Sequence, residues 1–402
     1  MPIMGTLRSL GPGLISGTSD LDPTSVATLA IIGSAVRLDL LWLVLWLLPM
    51  LVTVQVISAR IGLVTGRSLE RVIRDRFGRG WALTAMLLVV SVNLLTVTAD
   101  LEGGAVALEL LTGIGWRWFA LPLALFIGGL LFYGGYYGMQ RVLRYVLLVF
   151  GAYVIAGFLV RPDWGSVLYH ALVPTFSWEP AYVAGAVALL GTTLTSYVYF
   201  WETIEVQEER RPLEFLWLVE LDAAVGMVVT VVLSAFIIIT TATTLGVHGV
   251  TVQTAQEAAM ALAPLAGPYA AALFALGLLA SALLAIPVVV STTAYVLADA
   301  LGLRGGLTVH GREARPFYLV LLGTLAIGVG VAYAGVEPFR LLFIASIAGG
   351  IGTPLLLAVL VVVARDRQIM GDLRIDRLLL VLGWLTFAVV GAASIAFLAR
   401  LF

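Results

Sequence analysis

Two apolar stretches of the chain are each interrupted by a short polar segment. The first segment reads Ser19-Asp20-Leu21-Asp22-Pro23-Thr24-Ser25, and the second reads Gly191-Thr192-Thr193-Leu194-Thr195-Ser196-Tyr197. A proline after an aspartate leaves backbone carbonyls without helical donors, and a carboxylate inside hydrocarbon needs a cation to offset the cost of its burial. Helices interrupted at corresponding places in two halves of a membrane protein indicate a substrate site near the bilayer midplane. The sequence therefore predicts a cation site between the two segments.

The composition is typical of a protein that lies in a membrane. Hydrophobic residues make up 61% of the 402 residues, and charged residues only 12%. Soluble domains are about 45–50% apolar and about 25% charged. The chain contains no cysteine, which excludes disulfides and thiolate metal sites. The sequence also contains no His/Glu metal motif, activated serine or phosphate-binding loop, so we expect neither enzymatic activity nor a cofactor.

Apolar runs of about 20 residues, bounded by charges or turn residues, indicate membrane-spanning helices. The sequence contains eleven such runs, at 11–34, 41–64, 82–113, 118–138, 143–160, 183–205, 214–245, 267–300, 316–336, 339–364 and 378–399. The first ten form two groups of five, at 11–160 and 183–364, and each group begins with an interrupted run. Because five is odd, the second group must cross the membrane upside down, which predicts an inverted repeat. We expect one all-α transmembrane domain, 1–402, with an extra helix at 378–399.

Arginine residues between the runs predict the orientation, because cytoplasmic loops carry an excess of positive charge. One side carries most of them: Arg8, Arg67, Arg71, Arg74, Arg76, Arg79, Arg141, Arg144, Arg210, Arg211, Arg304, Arg312, Arg315, Arg365, Arg367, Arg374 and Arg377. The other side has Arg37, Arg117, Arg161, Arg340 and Arg400. We expect a multi-pass protein of the plasma membrane with a cytoplasmic N-terminus and an external C-terminus.

Short motifs on several runs resemble the Nramp family of divalent-metal transporters. Asp22-Pro23-Thr24-Ser25, preceded by Gly11-Pro12-Gly13, is similar to that family's Asp-Pro-Gly-Asn first helix. Residues 57–67 and 105–114 are similar to its second and third helices. The resemblance implies a LeuT-like 5+5 inverted repeat with broken helices 1 and 6. It implies a divalent metal ion as substrate and the lipid bilayer as surroundings, a monomer, and no nucleic-acid partner.

The interrupted segments depart from the family pattern at the metal ligands. Thr195, Ser196 and Tyr197 stand where the family has a Met-Pro-His run, and Ser25 stands where it has asparagine. A thioether favours softer transition metals, whereas hydroxyl oxygen suits hard cations. The ligand set that the resemblance implies is therefore all oxygen, which suits Mg²⁺: Asp22, Ser25, Thr195 and the backbone carbonyls of Ser19 and Thr192. We expect import of Mg²⁺, and also of Mn²⁺, by alternating access.

A further departure concerns proton coupling. The family's third helix carries an aspartate and, three residues later, a glutamate, and the aligned positions here are Val97 and Asp100. With one carboxylate missing and no histidine in the sixth run, the chain is most similar to the Nramp-related magnesium transporters, whose transport is not proton-driven. We expect a second group of polar residues to line the ion path or the ion's outer hydration shell: Asp20, Asp100, Tyr197, Glu202, Glu205 and Ser346.

Other interpretations stay open at this point. Glu202 and Glu205 also fit a solvated helix face near Arg210 and Arg211, and Asp100 also fits a structural pairing with arginine. A proton-coupled manganese or iron transporter would share the whole architecture. An organic-substrate carrier or a non-transporting sensor on the same fold is a second alternative. Three carboxylates in later runs have no predicted role: Glu220, Asp222 and Asp299.

Overall fold

The computed structural model describes residues 19–134, 151–209, 212–263, 267–303, 305–309 and 314–400. The regular structure in these ranges is helical. The α-helices are α1 Pro23–Ala35, α2 Leu41–Thr65, α3 Leu69–Phe77, α4 Arg79–Thr112, α5 Arg117–Gly129, α6 Gly151–Leu159, α7 Trp164–Leu172, α8 Pro180–Thr193, α9 Ser196–Glu209, α10 Leu216–Thr244, α11 Ala255–Met260, α12 Ala270–Leu301, α13 Arg315–Ala332, α14 Pro338–Arg365, α15 Arg367–Met370 and α16 Arg377–Leu398.

Ten of the eleven predicted membrane spans agree with helices of the described residues, and of the span predicted at 143–160 only α6 is described. Nine helical stretches of the described residues are long and apolar enough to cross a membrane, with α8 and α9 together forming one of them, and α1 is a shorter apolar helix. The predicted boundaries differ from the observed ones by a few residues. Parts of three predicted spans, 11–18, 135–138 and 143–150, lie outside the described residues. The prediction of an all-α polytopic membrane protein is confirmed.

The helix after the first polar segment begins where the sequence predicts, and the second interruption is observed; residues 11–18, before the first segment, lie outside the described residues. Asp22 precedes α1 in an extended conformation and its side chain accepts a hydrogen bond from Ser25 N at 2.6 Å, while Pro23 occupies the first turn. An N-cap aspartate followed by proline is a strong helix-start signal. In the sixth span α8 ends at Thr193 and α9 begins at Ser196, so two residues separate the half-helices.

The helices pack so that the interruptions face the centre of the bundle. α4 contacts α12, α13 and α14, while α1 contacts α8, α10 and α14. α2 packs against α9 and α10. The C-terminal α16 lies against α8 and α14 and buries only Gly383, Thr386, Val390 and Ser394. The extra helix therefore lies at the edge of the bundle, and α1, α8 and α9 lie inside it.

Glycine permits the close approach of α8 and α14. A Cβ atom built on Gly191 would lie 2.0 Å from the Ser346 carbonyl oxygen and 2.2 Å from the Gly350 nitrogen. We expect Gly191→Ala to push the two helices apart and to destabilise the protein by about 1–3 kcal/mol, as overpacking does. Thermal unfolding in detergent measures the effect. Gly323→Ala is the control because nothing lies within 4 Å of its Cβ position, and equal melting temperatures for the two variants would contradict the expectation.

Candidate functional site

The start of α1 and the start of α9 meet through Asp22 and Tyr197. The Tyr197 hydroxyl lies 3.2 Å from Asp22 Oδ2 and 3.0 Å from the carbonyl oxygen of Ser19. Asp22 Oδ1 caps α1, so its second oxygen points toward the other interrupted helix. Asp22 is 1% exposed and Tyr197 is fully buried. The two interruptions are therefore in direct contact inside the protein.

Ser25 forms a second connection between the interrupted segments. Its hydroxyl donates to the carbonyl oxygen of Asp20 at 2.6 Å and lies 2.7 Å from the Thr192 hydroxyl. The carbonyl oxygen of Thr192 is 3.5 Å from the same hydroxyl. Carboxylate, hydroxyl and carbonyl oxygens from both helix breaks therefore lie within one buried region. Hard divalent cations take this type of ligand.

Among the described residues, the side chains of Thr195 and Ser346 form no hydrogen bond with Asp22 or Ser25. Thr195 is buried between the half-helices, and no hydrogen bond among the described residues joins its hydroxyl to α1. The Ser346 hydroxyl lies 2.7 Å from the Thr28 hydroxyl, one turn beyond Ser25 in α1. Ser346 therefore contacts the helix that carries the predicted ligands Asp22 and Ser25, through Thr28. The role of Thr195 as a ligand stays a prediction.

Asp20 and Asp100 add two more carboxyl groups near Asp22. Asp20 is fully buried, and neither of its side-chain oxygens has a hydrogen-bond partner in the described part of the chain. Asp100 Oδ1 accepts hydrogen bonds from the Thr24 hydroxyl at 2.7 Å and from Thr24 N at 3.2 Å, whereas Oδ2 has no partner there. The sequence also allowed an ion pair between Asp100 and an arginine, and the described residues form no such pair. Asp100 instead holds the first turn of α1.

Glu202 and Glu205 are 2% and 1% exposed, so the interpretation of a solvated helix face is wrong for them. The physical reason is that α9 packs against α2 and α12 along this length. Glu208, one turn later, accepts hydrogen bonds from the Tyr295 hydroxyl at 2.6 Å and from the Thr308 hydroxyl at 2.7 Å. These contacts hold the end of α9. Arg210 and Arg211 lie outside the described residues.

Among the described residues, no group of three or more His, Cys, Asp or Glu side chains is arranged to hold a metal ion. A cation at the helix breaks must therefore use hydroxyl and backbone oxygens in addition to carboxylates. Such mixed oxygen ligation, completed by water, is common for Mg²⁺ and for Ca²⁺. Interrupted helices can provide this type of ligation, because a helix break supplies free backbone carbonyl groups.

Several contacts could not be found from the sequence. Thr353 donates to the carbonyl oxygen of Leu194 at 3.2 Å and so supports the second break from α14. Of the unexplained carboxylates, Glu220 pairs with Arg60 at 2.6 Å, and Asp299 accepts a hydrogen bond from Ser68. Nothing in the local sequence signals these partners, because they come from distant helices.

The fold is that of a LeuT-like membrane protein, and buried oxygen atoms lie where its two polar segments meet. The family model of natural resistance-associated macrophage protein-like proteins matches residues 13–400. The chain therefore belongs to the Nramp family.

Similar proteins cover nearly the same length. The divalent metal cation transporter MntH of Deinococcus radiodurans is 29% identical over 408 residues, which covers 96% of this chain and 88% of the relative. MntH of Caldanaerobacter subterraneus is 25% identical and covers 91% of this chain and 86% of the relative. The manganese transporter of Eremococcus coleocola has the same fold, with a TM-score of 0.76 at 19% identity, over 97% of this chain and 85% of that one.

Proposed function

We propose that the chain imports divalent metal cations by alternating access, with the cation held between the breaks at the start of α1 and between α8 and α9. The observation that carries this proposal is the buried contact between the two breaks, where Asp22, Ser25 and Thr192 gather oxygen atoms and no arginine of the described residues is buried. The relatives named as divalent metal cation transporters support the same cargo class.

Manganese is the cargo that the relatives support best, since one structural neighbour is a manganese transporter. The preference for magnesium, expected from the sequence, depends on ligand hardness alone and gains no support from the relatives. Carboxylate, carbonyl and hydroxyl oxygens accept Mn²⁺ as well as Mg²⁺. We therefore propose that Mn²⁺ is carried, and that the absence of a thioether at Thr195 admits Mg²⁺ to the same site.

Charge balance favours proton coupling over the uncoupled transport that the sequence suggested. Asp20, Asp22 and Asp100 are buried, and within the described ranges none of them forms an ion pair. Burying uncompensated carboxylates costs several kcal/mol each, by order of magnitude about 3–5 kcal/mol. A dication can offset this cost on the inward step. We propose that the dication offsets two of the three charges and that a proton on Asp100 offsets the third, so that this proton enters together with the metal.

The orientation follows from the arginine distribution. We propose that the arginine-rich side faces the cytoplasm of a cell bounded by this plasma membrane. An inward-negative potential then drives the dication inward, with about 2.3 kcal/mol per charge for each 100 mV. The movement that exposes the site to either side would involve α1 and α9, because both begin at the breaks.

Flux into liposomes containing the purified protein tests the proposed function. Uptake of Mn²⁺ and of Mg²⁺ is followed with a metal-sensitive dye, and internal pH with a second dye. We expect Mn²⁺ uptake, slower Mg²⁺ uptake, and internal acidification that accompanies both. Failure of both metals to enter would overturn the proposed cargo, whereas metal uptake at constant internal pH would overturn only the proton coupling.

Substitutions of Thr195 test its role in selectivity. We expect Thr195→Met to raise the ratio of Mn²⁺ to Mg²⁺ uptake by about ten-fold, because a thioether favours the softer ion and ten-fold is a difference of about 1.4 kcal/mol. Thr195→Val keeps the shape and removes the oxygen, so it should slow both metals. Competition between the two metals in one assay measures the ratio. An unchanged ratio in Thr195→Met, together with normal uptake in Thr195→Val, would exclude Thr195 as a ligand.

A further inference from the structure

The short helix α3 contacts α9 and joins it to α12. Leu69 N donates a hydrogen bond to the Thr203 hydroxyl of α9 at 2.9 Å. The Ser68 hydroxyl donates to the Asp299 carboxylate of α12, and Arg74 donates to the carbonyl oxygen of Asp299 at 2.6 Å. Movement of α9 away from the bundle on this side must therefore break its contact with α3.

Glu70 is a buried carboxyl group of this junction. Its side chain is fully buried, and neither carboxyl oxygen has a hydrogen-bond partner among the described residues. α3 packs against α2, α4, α9, α12 and α14. Over the described parts of these helices, the charged groups that act on Glu70 are Asp299 of α12 and Arg74 of α3 itself.

The protonation of Glu70 depends on whether this junction is closed. Burial raises the pKa of Glu70 from 4.5 to about 9. The negative charge of Asp299 adds to this increase, and the positive charge of Arg74 opposes it. At neutral pH the carboxyl group is therefore uncharged while α3 contacts α9. If α9 moves away and water reaches the side chain, the pKa falls toward its ordinary value and the carboxyl group loses its proton.

We propose that Glu70 makes the opening of the arginine-rich side depend on pH: with its proton it favours the closed junction of α3 and α9, and loss of that proton to the adjacent water favours the open one. The carboxylic acid becomes a carboxylate, and the proton passes to water on that side. This inference rests on the proposed function, because opening of this side is one step of alternating access. Arg74 and Arg71 near Asp299 disfavour a metal ion at the same place.

The direction of the effect follows from linkage. The closed state binds one more proton than the open state between the two pKa values, so raising the pH in this range favours opening. One proton changes the ratio of open to closed states by about ten-fold for each pH unit. Acidification of this side favours the closed state.

A thiol placed on α9 can report the opening, because the chain has no cysteine of its own. Val206 is 5% exposed, and its Cβ lies 3.2 Å from the Cβ position of Gly62 on α2, so Val206→Cys is covered when the junction is closed. The rate of maleimide labelling is measured between pH 6 and pH 8, in lipid nanodiscs that leave both faces accessible. The same measurement on Val206→Cys combined with Glu70→Gln is the matched control. It corrects for the pH dependence of the thiol itself.

We expect the labelling rate, divided by that of the Glu70→Gln control, to rise by up to about ten-fold for each pH unit. Asp299→Asn removes a negative charge beside Glu70 and so lowers the pKa of Glu70 in the closed state. The rise should then level off at a lower pH. The variant keeps an acceptor for Ser68, so it also serves if Glu70→Gln does not fold. A ratio that is constant with pH, or a levelling-off that Asp299→Asn leaves at the same pH, would overturn the proposal. Labelling does not require metal flux, so failure of the proposed function would appear only in the liposome assay.

Discussion

Asp22→Asn is expected to reduce Mn²⁺ uptake into liposomes by about 100-fold, a loss of about 2.8 kcal/mol at ten-fold per 1.4 kcal/mol. Asp22 supplies a carboxylate at the contact between the two breaks, with one oxygen capping α1 and the other near Tyr197. Asparagine caps helices as well as aspartate does, so α1 should keep its start. The variant removes the negative charge that attracts the dication and leaves the local backbone intact.

A second aspartate that caps a helix, Asp163, offers a matched control for this prediction. Asp163 caps α7 by accepting a hydrogen bond from Gly165 N at 3.0 Å, on the exposed surface and away from the breaks. Asp163→Asn should transport Mn²⁺ at the rate of the unchanged protein. If Asp22→Asn also retained full uptake, the aspartate would be a helix cap only, and the metal site would have to lie elsewhere.

Asp100→Asn is expected to separate metal movement from proton movement. Asparagine retains an oxygen that can accept from Thr24, so the start of α1 should hold and Mn²⁺ uptake should fall by less than about ten-fold, or about 1.4 kcal/mol. The variant cannot carry a titratable proton, so internal acidification should fall to that of protein-free liposomes. Simultaneous recordings of metal and pH in one preparation give the comparison.

Thr24→Val provides the corresponding control for Asp100. It removes one donor to Asp100 and leaves the carboxyl group in place, so acidification should persist in step with metal uptake. Acidification that survives in Asp100→Asn would assign the proton to another group. Asp20 would then be the next candidate, because it is equally buried and neither of its oxygens has a partner in the described residues.

The sequence predicted the helices and the two breaks because these depend on local chemistry. The length of an apolar run is set by the bilayer, and Asp22-Pro23 carries its own start signal for α1. The second break has no proline, and its polar residues Thr192, Thr193 and Thr195 were the signal. The inverted repeat followed from the odd number of spans in each half.

The sequence could not predict which side chains meet across the bundle. Ser25 with Thr192 and Thr24 with Asp100 are contacts between helices far apart along the chain, and a single sequence carries no record of such pairs. Burial of Glu202 and Glu205 was missed for the same reason, since a run of charges near an arginine pair is usually solvated. Glu70 was missed because α3 carries a strongly charged sequence that is typical of a surface helix.

The position of the bound cation shows directly whether the metal lies between the two breaks. Crystals grown with Mn²⁺ would show the metal through its anomalous scattering. We expect one peak between the two breaks, in contact with Asp22 and with oxygen atoms of Ser25 or Thr192. A protein that transports Mn²⁺ but shows its strong anomalous peak away from both breaks, with Asp22 still bonded only to Ser25 N and Tyr197, would contradict this expectation.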